Sequence, residues 1–166
     1  MSTVAKIQNA NSALVAAIPA PSASLDAMLW AMRSGIPTIA RDLTSERVQE
    51  ARAIVAAGCG PADPRVVLSW LTNLAATIVN APVFENAPEK VSAILEVCED
   101  LPAGVWTRET RLAWVRQGER GKFWPAPAEL YAHLRPYADR ITRQFEGCQR
   151  IVRMAERQMR HESRED

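Results

Sequence analysis

The C-terminal third of the chain carries the pattern that most restricts the fold. Its apolar residues recur every three or four positions, which is the spacing of one face of an α-helix. The residues of this seam are Tyr131, Leu134, Ala138, Ile141, Phe145, Cys148, Val152, Ala155 and Met159. The pattern predicts a helix with a narrow apolar seam that packs against another helix. Because proline lacks the N–H that a helix interior needs, we expect Pro136 to break or kink the helix near Arg135, and the final helix to begin at Tyr137.

Arginines occupy the opposite side of this predicted helix. Arg143, Arg150, Arg157 and Arg164 are spaced seven residues apart, and Arg140, Arg153 and Arg160 flank them. A small bundle is too short to cover the whole seam, so we expect the part from about Cys148 to Met159 to project or to pair with another chain. The predicted partner-binding residues are Phe145, Cys148, Val152, Ala155, Met159, Arg143, Arg150 and Arg157. The alternative is that the arginines form an ordinary solvated face.

Capping residues mark the starts of the other helices. Ser24, Thr44, Asp63 followed by Pro64, and Thr107 each precede a segment with helical apolar spacing, and a further start lies at 86–88. No segment shows the period-two alternation of a strand. The apolar content of 48% is that of a globular protein. The sequence therefore predicts an all-α fold, a small helical bundle with a long C-terminal helix.

Proline, serine and glycine clusters divide the chain into four segments. Residues 1–24 are predicted to form a flexible N-terminal arm, and residues 25–62 a helical extension that ends in a Gly/Pro break. The helical core is assigned to residues 63–135, where caps, apolar stripes and tryptophans concentrate. Residues 136–166 form the long charged C-terminal helix.

No residue pattern of a catalytic or metal site is present. Cys59, Cys98 and Cys148 are far apart and include no CxxC pair, and neither His133 nor His161 has a second ligand at metal spacing. The glycine-containing turns lack the lysine and the preceding strand of a phosphate loop. The sequence thus predicts a protein that is not an enzyme and that has no metal and no cofactor.

Charge and hydropathy constrain the compartment and the partners. The net charge is +1, so no strong overall field draws the protein to nucleic acid or to a membrane. The basic excess lies in the second half: residues 101–166 contain 13 basic and 9 acidic residues. We expect a cytoplasmic protein without membrane contact, because the N-terminus lacks a signal-peptide pattern and the apolar runs are short.

The tryptophans leave two interpretations open. They can fill the core, or those beside basic residues can stack on nucleic-acid bases. The predicted nucleic-acid contacts in the second case are Trp114, Arg116, Lys122 and Trp124.

One short element has a defined geometry and a resemblance. In Phe123-Trp124-Pro125-Ala126-Pro127-Ala128-Glu129-Leu130, the two prolines force an extended entry, and Pro127 and Glu129 favour the start of a helix. We expect Phe123 and Trp124 to be apolar plugs. The element resembles the F-x-P-x-x-A-E-L element of helical phage and prophage proteins, and is similar to that of phage replicative-helicase loaders. The chain departs from the pattern at Ala126, where serine or threonine is usual, and it has no nucleotide-binding module.

The resemblance implies a non-enzymatic replication accessory or adaptor protein of phage or prophage type. Its partner would be a protein, such as a replicative helicase, that binds the C-terminal helix. Two alternatives come from the residues themselves. One is a nucleic-acid-binding helical module, and the other is a structural protein that self-associates through the seam.

Overall fold

The computed structural model describes residues 19–82 and 88–165, and within these ranges it contains six α-helices and no β-strand. The helices are α1 (Ala23–Arg33), α2 (Ser45–Ala57), α3 (Pro64–Ala75), α4 (Pro88–Val97), α5 (Arg108–Val115) and α6 (Pro127–Glu165). The predicted all-α fold with a long C-terminal helix is confirmed. The predicted arm lies outside the described residues up to position 18.

Most helices begin where their capping residues predict. The Thr44 hydroxyl accepts a hydrogen bond from the Arg47 N–H, and the Asp63 carboxylate accepts one from the Arg65 N–H. Thr107 caps α5 in the same way. The predicted Ser24 cap is wrong, because α1 begins two residues earlier and the Ser22 hydroxyl accepts from the Leu25 N–H at 3.2 Å. The side chain of Glu50 on α2 also binds Ser22, which ties the start of α1 to α2.

Pro136 does not end a helix. Helix α6 is continuous over 39 residues with Pro136 inside it, so the predicted break near Arg135 is wrong. The proline leaves the carbonyl of Ala132 without its intrahelical donor. Both residues are exposed, so water can satisfy that carbonyl, while the buried residues Leu134 and Ala138 hold the helix on either side.

The chain forms two compact units. The central unit is Gly60–Asp139, and the split unit combines residues 19–59 with residues 140–165. Helix α6 contributes to both. Most of the predicted extension, residues 25–62, is therefore in one unit with most of the predicted tail, residues 136–166.

In the central unit, helix α3 contacts α4 and α5. Trp70 and Trp106 meet edge to face, with ring centroids 5.5 Å apart, and the Trp70 indole N–H donates to the Thr107 carbonyl at 2.8 Å. The buried Thr110 hydroxyl donates to the Val105 carbonyl at 2.6 Å. The buried apolar residues of the unit are Val66, Val67, Trp70, Leu71, Leu74, Ile94, Cys98, Leu101, Val105, Trp106, Trp114, Leu130, Leu134 and Ala138.

In the split unit, α1 and α2 cover the distal seam of α6. Their buried residues share one cluster with Cys148, Ile151 and Ala155 of α6, and the members from α1 and α2 are Leu25, Met28, Leu29, Val48, Ala51 and Ile54. At Gly147, an added Cβ would lie 2.5 Å from Leu29 Cδ2, so the glycine permits a close approach of α6 and α1. The expectation that the chain leaves this seam uncovered is therefore wrong.

Candidate functional site

One side of helix α6 carries a row of exposed arginines, which forms an arginine face. We define this face as Arg143, Arg150, Arg153, Arg157 and Arg160, all of which are exposed. At 100° per residue, the heptad-spaced members lie about 140° to 180° around the helix from Cys148, on the side opposite the buried seam. From Arg143 to Arg157 the face extends about 21 Å along the helix axis.

Glu146 lies on the same side of α6 as these arginines, at the position between Arg143 and Arg150. None of the ion pairs within the described residues involves an arginine of this face. Arg160 Nε donates to the backbone carbonyl of Glu156 at 3.3 Å. Five guanidinium groups with few competing acceptors give a positive strip that can bind anions in a bidentate manner.

The predicted seam contacts fall into two groups. Cys148 is 0% and Ala155 8% exposed, so both are closed to a partner while the split unit is folded. Phe145 and Val152 are half-buried, and Met159 is 49% exposed. Partner binding by these residues stays a prediction. The residue that the predicted seam missed is Ile151, which is fully buried where Val152 was expected to be.

The predicted stacking platform is not formed as expected. Trp114 is only 1% exposed; its indole N–H donates to the Phe123 carbonyl, and its ring meets the His133 ring edge to face at 5.4 Å. A buried ring cannot stack on a base, so the nucleic-acid role expected for Trp114 is wrong. Arg116 is exposed, Lys122 pairs with Glu119, and Trp124 is half-buried.

The proline-containing element starts helix α6. Glu129 accepts from the Ala126 N–H and pairs with Arg120 at 3.4 Å, while Leu130 is fully buried. Phe123 is 49% exposed, so its expected role as a buried plug is wrong. The extended entry carries the Phe123 carbonyl, rather than the ring, towards the core at Trp114.

His133 has a structural explanation. Its Nε2–H donates to the Thr110 carbonyl at 2.9 Å, and its Nδ1 is hydrogen-bonded to the Gln117 amide at 2.7 Å. Both ring nitrogens thus form hydrogen bonds that connect α6 to α5 and to the turn that follows α5. The described side chains include no group of three metal-ligating residues. Within residues 19–82 and 88–165, no helix combines the length and the apolar character needed to cross a membrane.

No protein-family model, curated protein or solved structure matches this chain. The evidence for a function of the arginine face therefore comes from its geometry and charge, and not from similarity to known proteins.

Proposed function

We propose that the protein is a non-enzymatic accessory factor that binds the phosphate backbone of nucleic acid through the arginine face of α6. The observation that carries this proposal is the row of exposed arginines, which form no ion pair with the described residues, on a helix whose other side is fixed by α1 and α2. A rigid helix fixes the spacing of the guanidinium groups before binding, which lowers the entropic cost of contacting several phosphates together.

The composition of the face favours nucleic acid over an acidic protein. Protein interfaces usually centre on buried apolar or aromatic anchors. Between Arg143 and Arg160, the arc of α6 that the arginines span has no aromatic or aliphatic residue that could act as such an anchor, and Glu146 interrupts the arginine row. Phosphate contacts need only charge and N–H donors, both of which arginine supplies.

The resemblance of the element at residues 123–130 supports a finer proposal. We infer that the protein acts in a replication module of phage or prophage type, as an adaptor beside a helicase. Binding of the DNA backbone by α6 would be consistent with such a position. This finer proposal depends on the resemblance alone.

The test is binding of fluorescently labelled single-stranded and duplex oligonucleotides, followed by anisotropy at several salt concentrations. We expect non-specific dissociation constants of about 10⁻⁴ to 10⁻⁶ M, and a log–log salt slope of about −0.9 per duplex phosphate contacted. Replacing three arginines of the face (R143Q, R150Q and R157Q together) should reduce the magnitude of the slope by roughly 2 to 3.

A matched control removes the same charge elsewhere in the split unit. Arg33, Arg41 and Arg52 are also exposed, so R33Q, R41Q and R52Q together change the net charge equally. The control should bind nearly as the wild type does. Equal losses in both variants, or no wild-type binding at 50 mM salt, would overturn the proposal. Tighter binding of polyglutamate than of either oligonucleotide would identify an acidic protein as the partner instead.

A further inference from the structure

A groove of about 350 Å³ in the central unit lies between the start of α3 and the second half of α4. Its lining includes the apolar residues Pro64, Val67, Leu95 and Trp106, and also the exposed residues Glu96 and Glu99, which we call its acidic edge. The volume is sufficient for one long side chain together with a short piece of backbone.

The acidic residues beside the groove are only partly neutralised. Glu96, Glu99 and Asp100 surround the C-terminal end of α4, where the helix dipole is itself negative. Asp100 has Arg135 at 3.8 Å and the Tyr131 hydroxyl at 3.0 Å. Among the described residues, neither Glu96 nor Glu99 forms an ion pair. This edge therefore favours a cation and repels phosphate.

The indole N–H of Trp106 supplies a second, independent observation. Trp106 is 3% exposed, and its Nε1 has no hydrogen-bond acceptor in the described part of the chain. The two other buried tryptophans, Trp70 and Trp114, both donate to backbone carbonyls. Leaving a buried donor without an acceptor is costly, so an acceptor brought by a ligand would be stabilising.

We propose that this groove binds a basic segment of a partner protein. The aliphatic stem of an arginine or lysine lies along the wall formed by Val67, Leu95 and Trp106, as such stems commonly do on apolar surfaces. The charged head contacts Glu96 and Glu99. The Trp106 indole N–H is covered in the unbound protein, so the surrounding side chains must move slightly before a backbone carbonyl of the segment accepts from it. This site does not depend on the arginine face of α6.

The test uses N-acetyl-arginine N-methylamide as the probe and the tryptophan indole N–H signals of the ¹⁵N-labelled full chain as the readout. W106F identifies the Trp106 signal by its loss. We expect that signal to shift saturably, with a dissociation constant on the order of 1 mM, while the Trp114 signal stays in place and reports an intact fold. The E96Q/E99Q variant should bind at least about tenfold more weakly.

The control variant E89Q/E109Q removes two exposed glutamates outside the groove and should bind as the wild type does. A wild-type signal that does not shift, or equal weakening in both variants, would overturn the proposal. If N-acetyl-norleucine N-methylamide, the uncharged analogue of the probe, binds as tightly as the probe itself, then the acidic edge does not select a basic side chain and the proposal is overturned. A methylguanidinium titration of the wild type that shifts the Trp106 signal with the same dissociation constant as the arginine probe would indicate a site for small cations, and would overturn recognition of a peptide segment.

Discussion

At the scale of single residues, the three cysteines lie in two environments. Cys98 and Cys148 are buried, and the pKa of each thiol is raised to about 11. Loss of hydration on burial is the main cause, and the negative charges of Asp100 and Glu50, respectively, add to it. Cys59 is half-buried, with its Sγ 3.9 Å from the Thr142 hydroxyl oxygen.

Because the thiolate is the reactive form, a raised pKa slows modification. At pH 8, only on the order of one thiol in a thousand would be ionised at Cys98 and Cys148. We expect Ellman's reagent to modify one thiol quickly in the folded protein and the other two only after urea unfolding. C59S should abolish the fast phase. A fast phase that persists in C59S would show that one of the buried sites opens readily.

At the scale of elements, α6 combines a sharp start with an unusual interior. Pro127 occupies its first turn, where the missing N–H costs nothing, whereas Pro136 lies nine positions later in the helix interior. The side chain of Pro136 is exposed. Burial of the proline ring therefore does not offset the unfavourable free energy of proline inside the helix. The packing of the neighbouring turns must maintain the helix instead.

We expect Pro136→Ala to raise the free energy of unfolding by about 1–3 kcal/mol, because it restores the hydrogen bond to the Ala132 carbonyl and the helix propensity of the position. The measurement is urea unfolding followed by circular dichroism. Pro127→Ala is the matched control and should give no such gain, since proline is favourable at a helix start. A destabilised P136A variant would mean that proline supports a bend that the packing requires.

At the scale of the whole molecule, two compact units share one helix. In the split unit, residues before Gly60 bury the distal part of α6, and Ile151 is a fully buried member of their common cluster. This packing decides which side of α6 stays exposed, and the arginine face lies on that side. A change at Ile151 therefore tests both the unit and the surface that it presents.

Ile151→Ala should destabilise the split unit by about 2–5 kcal/mol, because it leaves a cavity at a fully buried site. Val152→Ala, at the half-buried neighbouring position, should cost only about 1 kcal/mol. Hydrogen exchange in I151A should accelerate within Ala23–Arg33 and Ser45–Ala57, while Pro64–Ala75 keeps its protection. Uniform acceleration would show that the two units open as one.

Helix starts were largely predictable from the sequence. Thr44, Asp63 and Thr107 act as caps by accepting hydrogen bonds from N–H groups two or three residues away. Both partners of each capping interaction therefore lie within a few adjacent residues of the sequence. The arginine face could be predicted equally well, because helical periodicity alone places Arg143, Arg150 and Arg157 on one side of the helix.

Only the tertiary structure decided what each surface meets. The sequence could not show that α1 and α2 cover Cys148 and Ile151, that Trp114 is buried, or that a groove forms beside Trp106. Capping and periodicity are local properties of a few adjacent residues. Burial instead depends on contacts between segments about a hundred residues apart, such as Leu29 with Gly147, and these contacts exist only once the chain has folded.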